Sequence, residues 1–216
     1  MDRIIDGVLK FQREVYPNSK ELFHKLAMSQ APAALFIGCS DSRVVPEMFT
    51  QQGPGGLFVV RNAGNIVPPY GPPAGGVTAS IEYAVAVLGV PDIIICGHSG
   101  CGAMTALCNG VENLEHLPSV AQWLHYADDA RKILKEDASA DPAAQLTALI
   151  RENVLVQLAN LLTHPVVAAA VSAKQLRLHG WVYNIVTGEV ETYDAQTATF
   201  VPISSSVISA TPETVL

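Results

Sequence analysis

Cys39, Asp41 and Arg43 fall together in Gly38-Cys39-Ser40-Asp41-Ser42-Arg43, and His98 and Cys101 fall together in Cys96-Gly97-His98-Ser99-Gly100-Cys101-Gly102. Two thiols and an imidazole form a plausible Zn²⁺ ligand set that leaves a fourth position open for water. The pattern therefore points to a catalytic zinc site made of Cys39, His98 and Cys101, with Asp41 and Arg43 beside it. His98-x-x-Cys101 alone is a weak pattern, and its distance from Cys39 is not that of a zinc finger. The elements around these residues are what give it weight.

Each stretch follows a short apolar run, Ala33 to Ile37 and Ile93 to Ile95. Runs this short, ended by glycine and polar residues, read as buried parallel strands. In an open α/β sheet the carboxyl ends of parallel strands share one edge, where ligands bind. Cys101 would open a helix, whose positive end favours a thiolate. Cys96 and Cys108 read as core residues instead.

The remaining elements follow from periodicity. Ile4, Val8, Phe11 and Val15 mark an amphipathic helix over about 3–15, ended by Pro17. Asn18 and Glu21 resemble a capping box for a second helix. A strand over Leu57 to Val60 precedes a Gly- and Pro-rich loop to Gly76, and such loops at strand ends are more often functional than idle. Helices are expected over 77–88, from Cys101 to Leu107, from Pro118 to about Leu134, along Leu146 to Leu161, and from Val166 to Lys174. A polar break spans Asp137 to Pro142, and Arg177–Val186 with Val190–Tyr193 read as an antiparallel pair. The tail from Ser204 carries little signal. The fold class is α/β: a mainly parallel central sheet flanked by helices, with N-terminal helical arms and a C-terminal antiparallel edge strand.

Composition narrows the function. Hydrophobic residues make up 49% of the 216 residues and charged residues 15%, which is lean for a monomer's surface and hints at burial between subunits. A net charge of −7 without any basic cluster argues against nucleic acid. No apolar run approaches the ~18 residues of a membrane helix, and the start lacks the features of a signal peptide. Four cysteines in such a chain suggest a reducing cytoplasm.

Other chemistries remain open at this point. Gly97-x-x-Gly100-x-Gly102 resembles a dinucleotide fingerprint, but with the glycine spacing reversed. Cys39 and Arg43 are too close for a phosphate-wrapping loop. Cys39 with His98 could form a nucleophile and base, which would leave Cys101 and Asp41 without roles.

Cys39-Ser40-Asp41-Ser42-Arg43, Arg61-Asn62-Ala63-Gly64-Asn65 and His98-Ser99-Gly100-Cys101-Gly102 resemble the signatures of the β-class carbonic anhydrases. The likeness runs from the N-terminal helix to His179-Gly180-Trp181-Val182-Tyr183 and looks closest to bacterial enzymes associated with cyanate metabolism. It implies a single domain over 1–216, with residues 1–29 as helical arms. It also implies one Zn²⁺ per chain, hydration of CO₂ to bicarbonate by hydroxide on the zinc, and a homodimer or higher assembly. By the same resemblance Cys39, His98 and Cys101 are the zinc ligands, and Asp41 and Arg43 the catalytic pair. Gln30, Phe58, Tyr83 and Gly102 correspond to the substrate pocket, with Gln30 reaching a neighbouring subunit.

Two thiolates place more negative charge on zinc than neutral histidines do, so activity is expected to rise toward alkaline pH. Some relatives hold bicarbonate in a regulatory pocket containing a tryptophan three positions before the first cysteine. Phe36 stands there in this chain, while Arg61 and Tyr183 match the pocket's other members. That departure favours an enzyme without this regulation. Carbon disulfide or carbonyl sulfide as substrate, and a scaffold with a structural zinc, are the competing functional readings.

Overall fold

The computed structural model describes residues 1–134 and 141–204. Contacts divide the chain into two compact units, Met1–Ala31 and the chain from Pro32 onward. In the first, helix α1 (Asp2–Lys10) runs through a π-helical turn (Phe11–Val15) and a short 3₁₀ turn (Pro17–Ser19) into α2 (Lys20–Met28). Phe11, Tyr16 and Phe23 pack ring against ring at centroid distances of 5.4–6.2 Å, which folds the unit back on itself. Asn18 does not open a capping box. Its amide donates to Glu14 O at 2.7 Å, because the carbonyls ending the preceding helix lack partners and lie within its reach. Neither α-helix of this unit buries a residue, and Ile4, Ile5, Val8, Leu9 and Val15 all remain exposed.

The second unit is built on strands β1 (Ala34–Cys39), β2 (Leu57–Asn62), β3 (Asp92–His98), β4 (Arg177–Tyr183), β5 (Val190–Asp194) and β6 (Thr199–Pro202), in spatial order β2-β1-β3-β4-β5-β6. The first four run parallel; β5 and β6 close the sheet as antiparallel neighbours. Helices α3 (Pro46–Thr50), α4 (Gly76–Glu82, continued by a π-helical turn to Val87), α5 (Gly102–Cys108), α6 (Pro118–Leu124), α7 (Asp128–Ile133), α8 (Pro142–Leu162) and α9 (Pro165–Ser172) make the connections. The sequence reading ends the first three strands short of their polar carboxyl ends, at Ile37, Val60 and Ile95. Ladder pairing carries them on to Cys39, Asn62 and His98, so two of the candidate ligands are themselves strand residues. Two further differences follow from local chemistry. The helix expected over Pro118–Leu134 breaks at a 3₁₀ turn, His125–Ala127, and β6 escapes a pattern search because it is only four residues long. Most of the polar break and of the tail lies outside the described residues.

Both faces of the central strands are apolar. Leu35, Ile37, Ile93, Ile95 and Leu178 face the main core, where Leu149, Ile150, Val154, Leu158 and Leu161 of α8 cover them. Full burial of each such side chain contributes ~1.5–3 kcal/mol. Alternate residues Phe36, Ile94 and Cys96 face the other way, against Phe49, Leu57, Val59, Trp181 and Tyr183. Gly180 sets how close α8 lies: a Cβ there would stand 2.8 Å from Val154 Cγ1 and 2.9 Å from Leu158 Cδ1. Cys96 is buried among these apolar groups, which pushes its thiol up to about 12 and makes it inert, as the core reading requires.

An ion cluster ties the starts of β3 and β4 together. Arg177 grips Asp92 with two bonds of 2.7 Å, and His179 Nε2 lies 2.7 Å from Asp92 Oδ1. Partial burial raises the Asp92 carboxyl, but the bonds from His179 and Arg177 together outweigh it and hold the group at about 2. A carboxyl depressed on folding stabilises the fold above its unfolded value near 3.9, and that contribution disappears as pH falls through the folded value. Asp92→Asn is therefore expected to lower the melting temperature at neutral pH. In acid titrations it should flatten the loss of stability between about pH 4 and pH 2.

Candidate metal centre

Cys39 ends β1, His98 ends β3, and Cys101 precedes α5 after a turn through Gly100, whose φ is +63°. Because β1 and β3 are adjacent and parallel, their ends bring these residues together. The two sulfurs and one imidazole nitrogen all lie within 4.8 Å of one another, and all three residues are buried. His98 Nδ1 lies 3.0 Å from Ser99 O; a carbonyl can only accept, so Nδ1 carries the hydrogen and Nε2 the lone pair. Nε2 is fully buried and has no hydrogen-bond partner. A buried imidazole nitrogen without a partner, beside two sulfurs, is an arrangement that a thiophilic dication satisfies. The residues fit zinc.

The two thiols titrate as a pair. The closeness of Cys101 lowers the Cys39 thiol against the effect of burial. Cys101 is pushed up by its interaction with Cys39 and by burial. Binding of a dication would release protons from such a pair, since cysteines ligate as thiolates.

Asp41 is held from one side by Arg43. The guanidinium donates through Nε to Oδ1 at 2.9 Å and through Nη2 to Oδ2 at 2.7 Å, while the Arg43 backbone N–H adds a third bond at 3.0 Å. These bonds hold the Asp41 carboxyl well below the usual carboxylate range. Arg43 Nη2 also donates to Gly100 O at 3.2 Å, tying the first motif to the second. Asp41 Oδ2 stands 3.9 Å from His98 Nε2. The carboxylate therefore adjoins the ligand cluster while committed to the arginine.

Arg61 braces the same corner from β2, donating to Cys39 O at 3.0 Å and to Asp41 O at 2.6 Å. Phe36 is fully buried and lies edge-on to Phe49, which stacks on Tyr183 at 4.6 Å.

The other expected site residues are placed as follows. Phe58 and Tyr83 face one another, with centroids 6.0 Å apart. Phe58 sits four residues before the carboxyl end of β2, roughly 13 Å along the strand at ~3.3 Å per residue, so within one chain it does not join the cluster. Gly102 opens α5 beside Cys101, and a Cβ there would meet nothing within 4 Å. Packing inside the chain therefore does not require the glycine. Gln30 lies, exposed, in the N-terminal unit.

Sequence reasoning missed the residues that hold the loop after β2. Its backbone is gripped by side chains from α6 and α8: Trp123 on Ala63 O, Asn153 on Gly64 O, Gln157 on Val67 N–H and Asn160 on Val67 O. Asn153 and Gln157 are fully buried. A signal was available: Asn153, Gln157 and Asn160 place polar groups at helical spacing inside an otherwise apolar helix.

An α/β sheet with two cysteines and a histidine at adjacent strand ends defines a zinc-site protein, and comparison identifies the family. A family model described as carbonic anhydrase matches residues 34–190. A carbonic anhydrase of Pseudomonas aeruginosa is 57% identical over 204 residues, covering 94% of this chain and 92% of the relative. Among solved structures, the β-carbonic anhydrase CcaA superposes with a TM-score of 0.90 at 42% identity, covering 94% of this chain and 99% of that one. One from a pair of tetrameric β-carbonic anhydrases of Sordaria macrospora gives a TM-score of 0.76 at 31% identity, covering 88% and 95%. The chain belongs to the carbonic anhydrase family. Within it, this is a β-class enzyme that uses zinc.

Proposed function

We propose that the chain catalyses the reversible hydration of CO₂ to bicarbonate at a zinc ion held by Cys39, His98 and Cys101, with Asp41 and Arg43 as the catalytic pair. The observation that carries this reading is the buried, partnerless His98 Nε2, facing two sulfurs on one side and the Asp41 carboxylate at 3.9 Å on the other. When bound, zinc supplies Lewis acidity that lowers the pKa of water, to ~7 in carbonic anhydrases whose metal has three histidine ligands. Asp41 accepts a hydrogen from the nucleophile's O–H and so aims its lone pair at the substrate carbon. Arg43 fixes the carboxylate plane and offsets its charge, which keeps the pair from repelling the product anion. Across a dimer, Phe58 and Tyr83 of a second copy supply an apolar wall for a substrate without charge, and Gln30 of that copy with the Gly102 backbone supplies donors.

The test is zinc content together with stopped-flow CO₂ hydration on the purified chain. Zinc at one per chain with rapid hydration is expected. A zinc-loaded protein that leaves CO₂ untouched but releases sulfide from carbonyl sulfide or carbon disulfide would overturn the assignment.

The same reading makes the active unit a homodimer or larger. The solved Sordaria relatives are tetrameric. Helices α1 and α2 bury nothing, and an open groove of about 840 Å³ with Leu57, Ile94 and Trp181 in its walls lies on the sheet face away from the main core. Light scattering is expected to give a mass at least twice the 22.9 kDa of one chain, and a mass of one chain would refute it.

Among the described residues no single helix is long and apolar enough to cross a membrane. A cytoplasmic setting fits that and the four free cysteines. The likeness to enzymes associated with cyanate metabolism suggests bicarbonate supply for cyanate breakdown, testable as cyanate-sensitive growth after deletion.

A further inference from the structure

The peptide unit between Ala63 and Gly64 touches the metal centre through hydrogen bonds alone. Its N–H donates to Cys39 Sγ at 3.4 Å. Its carbonyl, Ala63 O, accepts from Trp123 Nε1 at 2.8 Å. The next carbonyl, Gly64 O, accepts from Asn153 Nδ2 at 3.1 Å. Gly64 holds φ +83°, and a Cβ there would stand 3.1 Å from both Ala103 Cβ and Met104 Cε, so the unit has little room to reorient.

The direction of the Asn153 bond is not arbitrary. Val67 N–H, which can only donate, bonds Gln157 Oε1 at 2.8 Å, which leaves Gln157 Nε2 to donate to Asn153 Oδ1 at 2.9 Å. Asn153 must then present its NH₂ to Gly64 O. The relay begins and ends on backbone groups of one loop, and its side chains come from a helix packed into the main core.

We infer that Trp123 and Asn153 are positioning residues for the metal centre, holding the Ala63–Gly64 peptide so that its N–H points at the Cys39 sulfur and tempers that ligand's electron donation. The inference rests on the zinc reading of Cys39. The bond from Trp123 to Ala63 O polarises the unit that carries the Gly64 N–H and strengthens it as a donor, while the bond from Asn153 to Gly64 O anchors the unit that follows. A bond to a coordinating sulfur draws charge from it and fixes its direction, as outer partners of metal ligands do. Both residues bond the loop backbone and not a ligand side chain.

The test uses the full chain loaded with Co²⁺, whose thiolate-to-metal absorption band reports the donor strength of sulfur, and chelator competition for Zn²⁺. Trp123→Phe keeps an aromatic side chain but removes the indole N–H together with the smaller ring, and the matching change at Trp181 controls for that loss of size. It is expected to move the band to longer wavelength, since a less stabilised sulfur gives up charge more easily, and to weaken zinc binding about ten-fold, the lower end for outer partners. Asn153→Ser should shift the band the same way and decides the matter if Trp123→Phe does not fold. Trp181→Phe, the same chemical change on the other sheet face, should leave the band in place. A wild-type protein without the band overturns the zinc reading itself. A wild type with the band and a Trp123→Phe spectrum superimposable on it overturns the positioning role, as does an equal shift in Trp181→Phe.

Discussion

Cys101→Ser is expected to strip the chain of zinc and reduce CO₂ hydration to background. Serine keeps the size of the side chain but offers a hydroxyl whose proton is not lost near neutral pH, so the site drops to one thiolate and one imidazole. Such a pair does not hold zinc against solution, since closed or catalytic sites use at least three protein ligands. Loss of an outer partner of a ligand already costs about 10–100-fold in affinity or activity, so loss of the ligand itself should exceed ~100-fold. Metal analysis by mass spectrometry, alongside stopped-flow hydration, reads both quantities. The fold should persist, because Cys101 contributes one small buried side chain among many in the main core. A variant with full zinc and full rate would mean that Cys101 is packing and nothing more.

Asp41→Asn separates the metal from the chemistry. Zinc content should stay at the wild-type level, because Asp41 is committed to Arg43 and lies outside the cluster of three. Hydration should fall by ~10²-fold, the scale on which misdirecting a reacting group by about an ångström acts. An asparagine that presents its NH₂ toward the site cannot accept the nucleophile's hydrogen, and Arg43 then keeps an uncompensated charge beside the product anion. In the wild type, the bonds from Arg43 hold the Asp41 carboxyl below its ordinary range. The pair therefore stays intact through mildly acid pH and fails only as pH falls through that depressed value. A zinc-replete Asp41→Asn enzyme with wild-type kcat would remove Asp41 from the mechanism.

Much of the fold was legible because its signals are local. Apolar runs ended by Gly38 and Gly97 announce buried parallel strands, and helical spacing along Leu146–Leu161 announces α8. The parallel order also follows, since helices separate the first four strands. What escaped was set by partners. Strand ends at Cys39, Asn62 and His98 are polar or small and become strand only through ladder bonds to neighbours. Asn18 was free to choose between two helix ends, and the nearer orphan carbonyl decided.

The site divides in the same way. Cys39, His98, Cys101, Asp41 and Arg43 declare themselves by residue type at strand ends. Asn153 is marked only as a polar position in an apolar helix, and nothing in the sequence tells which distant backbone atoms it and Trp123 bond. Phe58 meets Tyr83 but not the cluster within one chain, because it sits early on its strand.

The placement of Cys39 on β1 and of His98 and Cys101 around the end of β3 also sets a timetable. Parallel neighbours joined by long crossovers are among the slowest contacts a chain makes, since the intervening segment must be closed before pairing offsets the lost entropy. A folding chain is thus expected to hold His98 and Cys101 close together before β1 brings Cys39 beside them. Metallation is accordingly a late event that locks a finished topology: chelating agents added during refolding should lower the yield of active enzyme far more than the yield of secondary structure.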